Sequence, residues 1–293
     1  MLQTRCANVA GVPLALISGA STGIGRATSL RLAGSGWNVL AGVRDPAAGE
    51  SLAAEAPAGR ITPLALEVTD AAQIAAAAEL VGEHAARLGR PGLDALINNA
   101  GIGIGGPLEI LSDEDLRRQF DVNVFGHMAV TRAMLPSLRR AQGRILFVSS
   151  IGGRVAMAYT APYAASKHAI EAFADTLRVE LHSSQIQVGL IEPGSVSTPI
   201  WDKSRGDAER LQIPPELQAQ YGKVPAALDK AMQDTAKRGV PPEQVAATIE
   251  GALTAKRMKA RYLIGRDAVA MLAAKRLLPD HVFDRLVRRV MGV

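Results

Sequence analysis

A chain of 293 residues, 48% hydrophobic and 21% charged, has the composition of a soluble globular protein and the length for one large α/β domain. Its one cysteine, Cys6, excludes an internal disulfide framework, and His84, His127, His168, His182 and His281 lack metal-ligand spacing, so no metal site and a reducing, cytoplasmic setting are expected. The net charge of +5 is concentrated at one end: Thr254 to Val293 carries ten Lys/Arg against three Asp, and the remainder, slightly acidic, offers no basic face for nucleic acid.

The apolar stretch within Met1–Ser18 runs straight into a glycine-rich turn, so it reads as a buried strand and not as a leader peptide. Apolar runs at Leu14–Ser18, Val39–Val43, Leu64–Val68, Ala95–Asn98, Ile145–Ser149, Val188–Ile191 and Arg261–Ile264 read as strands. They are mostly non-alternating, which suits strands covered on both faces. Between them, amphipathic stretches at Gly25–Leu32, Ala71–Leu88, Asp113–Leu135 and Tyr163–His182 read as helices. This alternation predicts an α/β fold: a single doubly wound Rossmann domain over residues 1–293, with a seven-stranded parallel sheet flanked by helices. Residues 13–198 form its core. From 199 to 242 a proline-rich stretch with Trp201 and Tyr221 breaks the rhythm after the sixth strand and reads as a lid over a ligand. Residues 267–293 read as one or two further helices interrupted at Pro279. For this basic tail a solvated helix face is favoured over a membrane-surface contact.

Two local patterns carry chemistry. Ser18-Gly19-Ala20-Ser21-Thr22-Gly23-Ile24-Gly25 follows the first strand and opens the first helix. Glycines there allow a tight turn, and the free N–H groups of a helix N-terminus suit a pyrophosphate. At the end of the second strand, Val43 is neutral and Arg44 can pair with a ribose 2′-phosphate, which favours NADP(H) over NAD(H). Asp45, one residue further, would come into play if the register slipped by one.

The second pattern is Tyr163-Ala164-Ala165-Ser166-Lys167, with Ser150 thirteen residues upstream. On a helix, positions i and i+4 share a face, so the Lys167 ammonium would favour ionisation of the Tyr163 phenol. A serine hydroxyl beside the pair could hold a carbonyl or alcohol oxygen, and the trio reads as a proton-transfer site.

Taken together, these motifs closely resemble the short-chain dehydrogenase/reductase family, from about Pro13 to Thr198. The glycine motif is Gly19-x-x-x-Gly23-x-Gly25; Asn98-Asn99-Ala100-Gly101 ends the fourth strand; Asn123 stands in Val122-Asn123-Val124; and Ser149-Ser150 ends the fifth. Pro193-Gly194, with Val196 and Thr198, closes the nicotinamide side. Ser18 replaces the family's usual Thr, and Glu67, beside Val68, takes the place of the Asp that contacts adenine.

The resemblance implies hydride transfer between nicotinamide and a substrate carbon. Tyr163 acts as acid or base, Lys167 lowers its pKa and holds the nicotinamide ribose, and Ser150 orients the substrate oxygen. Asn123 anchors a water leading to solvent, its plainer reading being a structural group that bends a helix. Ala161 to Phe173 followed by Leu177 to Leu181, with Ile191-Glu192-Pro193-Gly194 and the long C-terminal segment, resemble the hydroxysteroid and retinol dehydrogenase branch, which handles bulky apolar alcohols, ketones and aldehydes. Ile104, Met157 and Trp201 are then candidate pocket residues, and a homodimer or homotetramer is implied. A 3-oxoacyl-thioester reductase would use the same four residues, although the long lid and basic tail weigh against it. A regulator that senses NADP without turnover would typically have lost Tyr or Lys.

Overall fold

Short apolar runs bounded by polar turns pair into one parallel sheet; the computed structural model describes residues 11–198 and 211–291. The strands are β1 (Leu14–Ser18), β2 (Asn38–Val43), β3 (Ile61–Ala65), β4 (Ala95–Asn98), β5 (Arg144–Val148), β6 (Gln187–Pro193) and β7 (Arg261–Ile264), in the order β3-β2-β1-β4-β5-β6-β7. From β1 the chain winds outward to β3, then returns to the other side of β1 as β4. That reversal opens a crevice at the carboxyl ends of β1 and β4, where doubly wound sheets bind ligands.

One strand lies off its expected place. Leu64–Val68 was the apolar run, but β3 starts at Ile61, which pairs with Val39, and passes through Pro63. A proline lacks the ladder N–H and is tolerated here because β3 is an edge strand. Leu66 still donates to Val43 O at 2.9 Å. Glu67 and Val68 then leave the sheet, which frees them to line the crevice.

Both faces of the sheet are covered. On one, α3 (Ala71–Arg87), α5 (His127–Ala141) and α6 (Ala161–Glu180) bury Val81, Met134, Leu138 and Ile170 against Leu16, Leu96 and Phe147. On the other, α1 (Gly23–Gly34), α2 (Pro46–Ala54) and α8 (Pro242–Thr254) bury Leu32, Leu52, Val245 and Ile249 against Ile17, Ile97 and Val148. Burial on both faces explains the absence of polar alternation in the strands.

The stretch expected as one helix from Asp113 to Leu135 is three segments. α4 (Asp113–Phe120) opens with a capping box between Ser112 and Asp115. A π-helical segment, Asp121–Gly126, follows, and α5 continues from it. The segment packs closely: a β-carbon at Gly126 would stand 2.7 Å from Val68 Cγ2, so the helix runs hard against the end of the β3 connection.

Within the lid, the described part is more regular than the prolines suggested. α7 (Val224–Arg238) begins with Pro225 in its first turn, where proline is tolerated, and buries Val224, Leu228 and Met232. Its base is tied to the sheet: Val240 N donates to Ser195 O at 2.9 Å, and Ser197 N to Val240 O at 3.0 Å. The tail forms α9 (Arg266–Leu277) and α10 (Asp280–Met291), separated at Pro279 and packed together through Phe283, Met271 and Leu272.

Candidate active site

A cavity of about 1100 Å³ runs along the carboxyl ends of the strands. Its floor is the turn from β1 into α1. Gly19 (φ 65°) and Gly23 (φ 54°) adopt left-handed backbone that favours glycine. A β-carbon on Gly19 would lie 2.8 Å from Ala100 Cα, and one on Gly25 would collide with Gly19 O, so the turn closes only with glycines. Asn99 braces it by donating from Nδ2 to Ser18 O and Gly19 O, both at 3.0 Å, while Ser18 Oγ accepts from Asn99 N and Ala100 N. The hydroxyl at position 18 thus joins the ends of β1 and β4. No side chain caps Thr22 at the α1 N-terminus, which leaves its N–H groups for a ligand.

At the far end of this floor, the register of β2 ends with Val43 opposite Ala65. Arg44 lines the cavity, and its Nη1 stands 3.6 Å from Glu67 Oε2. Asp45 turns away to cap α2, its Oδ1 accepting from Ala47 N at 3.0 Å. Of the two residues, Arg44 and not Asp45 therefore faces the cavity.

At the opposite end, α6 and the turn after β5 converge. Ser150 Oγ accepts from Gly152 N at 3.0 Å and hydrogen-bonds the hydroxyl of the half-buried Tyr163. Lys167 Nζ, buried, donates to Val148 O at 2.9 Å and lies 5.8 Å from the centre of the Tyr163 ring. Burial raises the Tyr163 pKa above its ordinary value, and the Ser150 bond opposes that rise. Depression by Lys167, expected from the spacing, is not the dominant influence: desolvation of the lysine lowers its own pKa to about 8.

Asn123 sits on the π-helical segment with its side chain pinned: Oδ1 accepts from Ile102 N at 2.9 Å, and Nδ2 donates to Ile102 O at 3.0 Å and Ser166 Oγ at 3.2 Å. One Oδ1 lone pair is left over. A β-carbon on Gly101 would lie 3.4 Å from that oxygen and 3.9 Å from Lys167 Nζ, so the space beside Gly101 is shared by the two side chains.

A family model described as short chain dehydrogenase matches residues 13–209. The chain belongs to the short-chain dehydrogenase family. Over 277 residues it is 34% identical to the NADPH-dependent 3-dehydrocapnine reductase of Ornithobacterium rhinotracheale, covering 93% of this chain and 95% of that one. Retinol dehydrogenase 5 of Mus musculus is 34% identical over 303 residues, covering 99% and 92%. Among solved structures, a short chain dehydrogenase from Burkholderia cenocepacia in complex with NADP superposes with a TM-score of 0.70 at 25% identity, covering 94% of this chain and 97% of that one. As in its relatives, oxidoreductase chemistry with a nicotinamide dinucleotide is the activity of this short-chain dehydrogenase, and the likeness extends to the retinol dehydrogenase branch.

The sequence-derived residues of this dehydrogenase divide into three sets. Ser21, Thr22, Gly23 and Ile24 line the cavity floor; Val68, Asn99, Ala100 and Gly101 line its wall; and Pro193, Gly194, Val196 and Thr198 close it beside Tyr163 and Lys167. Ile104 is off the cavity, buried with its N–H held by Gln119 Oε1 at 2.7 Å. Met157 is half-buried, its carbonyl accepting from Thr160 Oγ1. Trp201 lies outside the described residues.

Sequence reasoning missed Glu114, Arg117, Arg118 and Asp121, which line the cavity from α4 and the start of the π-helical segment. Their i, i+3, i+4, i+7 spacing marks one helix face and was the available signal. It also missed Tyr159, which takes a left-handed conformation (φ 62°) just before α6. Its carbonyl accepts from Gly106 N at 2.8 Å, and its ring meets Tyr221 edge-on.

Proposed function

We propose that this protein is an NADP(H)-dependent oxidoreductase acting on a hydrophobic ketone, aldehyde or secondary alcohol. The observation that carries the reading is that Tyr163 and Lys167, with Ser150 bonded behind Tyr163, line one end of a cavity whose other end presents Arg44. The glycine cradle, sterically closed to any β-carbon, fits a dinucleotide pyrophosphate. When bound, the dinucleotide supplies or accepts the hydride.

The residues do the rest. Ser150 Oγ holds the substrate oxygen against Tyr163. During reduction the Tyr163 hydroxyl gives that oxygen a proton, and during oxidation the phenolate takes it back. Lys167 keeps a positive charge beside the ring, favouring the phenolate at the moment it forms, and holds the nicotinamide ribose. Asn123, with its remaining lone pair and the shared space beside Gly101, anchors a water through which Lys167 exchanges protons with solvent.

An apolar substrate is supported by what faces the open end. Val224, Leu228 and Met232 of the lid cluster with Tyr159, Tyr221 and Met291. Gly105 and Gly106 run beneath Leu228, Leu111 and Leu211, which extends this apolar surface. Large exposed hydrophobics, Phe125 on the π-helical segment and Phe173 and Val179 on α6, lie where a second copy would pack, consistent with a homo-oligomer.

NADPH oxidation by the purified protein tests the reading, using carbonyls from acetoacetyl thioester to steroid and retinoid aldehydes and ketones. Turnover of the bulky apolar members supports it. Turnover of the thioester alone overturns the substrate class, and binding without any turnover overturns the enzyme.

A further inference from the structure

Glu171 and Glu192 stand in the segments that carried the branch resemblance, yet no step above uses either. Both are buried, at 6% and 1% exposure. They meet at one guanidinium: Arg261 Nε lies 2.9 Å from Glu171 Oε2 and 3.1 Å from Glu192 Oε1, while its Nη2 donates to Asp175 Oδ2 at 2.6 Å. Arg154 Nη1 donates to Glu192 Oε1 at 3.1 Å.

Every carboxylate of this cluster, and Arg154, sits on an element that carries or adjoins a residue of the proposed site. Glu171 and Asp175 continue α6 beyond Tyr163 and Lys167. Arg154 ends the short turn that begins at Ser150. Glu192 immediately precedes Pro193 and Gly194 at the end of β6, and Arg261 opens β7 behind them all. The packing is tight, since a β-carbon on Gly153 would lie 2.8 Å from Ser149 Oγ, 3.0 Å from Glu171 Cγ and 3.0 Å from Lys167 O. Stability is a weak reason for such a cluster, because apolar residues of similar volume often serve as well as buried ion pairs.

We propose that Glu171 is a positioning residue for the proton-transfer step: held by Arg261, it locks α6 against the ends of β6 and β7 and keeps the Lys167 ammonium charged beside Tyr163. This rests on the reading of Ser150, Tyr163 and Lys167 given above. The charged groups around Glu171 are Lys167 and Asp175 from α6, Glu192 from β6 and Arg261 from β7, with Arg154 reaching it through Glu192 and the Ser149 hydroxyl facing it from the end of β5. Lys167 is one helical turn away, and the negative charge of Glu171 raises its proton affinity against the desolvation that lowers it. Desolvation pushes the Glu171 carboxyl above the usual carboxylate range, and the Arg261 guanidinium at 2.9 Å opposes that rise by holding its ionised form.

The test is the pH profile of kcat in Glu171→Gln, which keeps size and an acceptor but removes the charge. Lys167 then loses its proton more easily, and the alkaline limb moves to lower pH by about half to one unit while the dinucleotide KM stays within about twofold. A limb superimposable on that of the unsubstituted protein, with only thermal stability reduced, overturns the proposal. Should Glu171→Gln not be recovered folded, Arg261→Lys decides: it keeps a cation but loses the fork that gathers the three carboxylates. A fall in kcat of about fivefold or more with the limb unmoved supports the proposal, and an unchanged kcat overturns it. Turnover retained in Tyr163→Phe would remove the underlying reading; turnover lost there, with the limb unmoved in Glu171→Gln, removes this inference alone.

Discussion

Arg44 and Glu67 face each other across the mouth of the cavity, guanidinium to carboxylate at 3.6 Å. The pair is open to solvent, so it contributes little to stability and stays available to a ligand. In the proposed reading, a 2′-phosphate at Arg44 would compete with Glu67 for the guanidinium and would itself be repelled by Glu67. Loss of a charge-assisted contact costs about 1.5–3 kcal/mol, so Arg44→Ala should weaken NADPH by roughly ten- to a hundredfold and leave NADH nearly unchanged. Glu67→Gln should move NADPH affinity the other way. Titration of both cofactors by fluorescence checks this, and equal losses for NADPH and NADH would assign Arg44 no part in discrimination.

In the proposed mechanism Lys167 sets an upper pH limit on the reaction. Its pKa is lowered by burial to about 8, so its charge is present below that pH and is lost as pH rises through it. Because the reaction needs the ammonium beside Tyr163, kcat should fall tenfold for each further pH unit once Lys167 is neutral. A kcat that stays flat well above pH 8 would separate the lysine charge from proton transfer.

His127 predicts acid sensitivity of the fold. It is fully buried, Nε2 donates to Ala100 O at 2.6 Å, and Nδ1 is without a partner among the described residues. Desolvation, reinforced by Lys167 and opposed by the Ala100 bond, lowers its pKa to about 3. Between the ordinary value of 6.5 and about 3, the unfolded chain binds a proton that the folded one refuses. Stability therefore falls with decreasing pH across that window, by up to about 1.4 kcal/mol per unit from this group. His127→Gln keeps a donor for Ala100 O without titrating, so denaturant melts at descending pH should show a shallower decline in that variant.

Gly194 depends on Asp267, which begins the tail. Asp267 Oδ2 accepts from Ser195 N at 2.7 Å, and a β-carbon on Gly194 would lie 2.5 Å from Asp267 Oδ1. Gly194→Ala should push the carboxylate off Ser195, shift the turn that closes the cavity, and cost about 1–3 kcal/mol in stability. Cofactor affinity should fall with it, and Asp267→Ala in the same chain should restore part of the stability. Calorimetry alongside NADPH titration checks both.

Much of this architecture was legible because burial on both faces leaves a simple mark: Leu14–Ser18 and Ala95–Asn98 are apolar up to their last residue, and both are strands buried along their whole length. Where the mark failed, a specific competing cause was at work. Pro63 disguised the start of β3, since a proline reads as a strand breaker unless the edge position is known. Nothing in Asp121–Gly126 announces a π-helix, or that Gly126 packs against Val68 across the fold. The Tyr163–Lys167 spacing placed both residues on α6, but it could not reveal that Lys167 Nζ turns to Val148 O or that burial outweighs its field at the phenol. Arg261 was read only as the start of a strand; its partners are contributed by α6 and β6, far away in sequence.

The most direct test compares Tyr163→Phe with the unsubstituted protein on the best carbonyl substrate, following NADPH absorbance for turnover and fluorescence for binding. Loss of a positioned proton donor should cut kcat by roughly 10²–10⁴-fold, with NADPH affinity changed little because the cradle and Arg44 are untouched. Turnover preserved in Tyr163→Phe would contradict proton transfer through Tyr163, whatever the substrate proves to be.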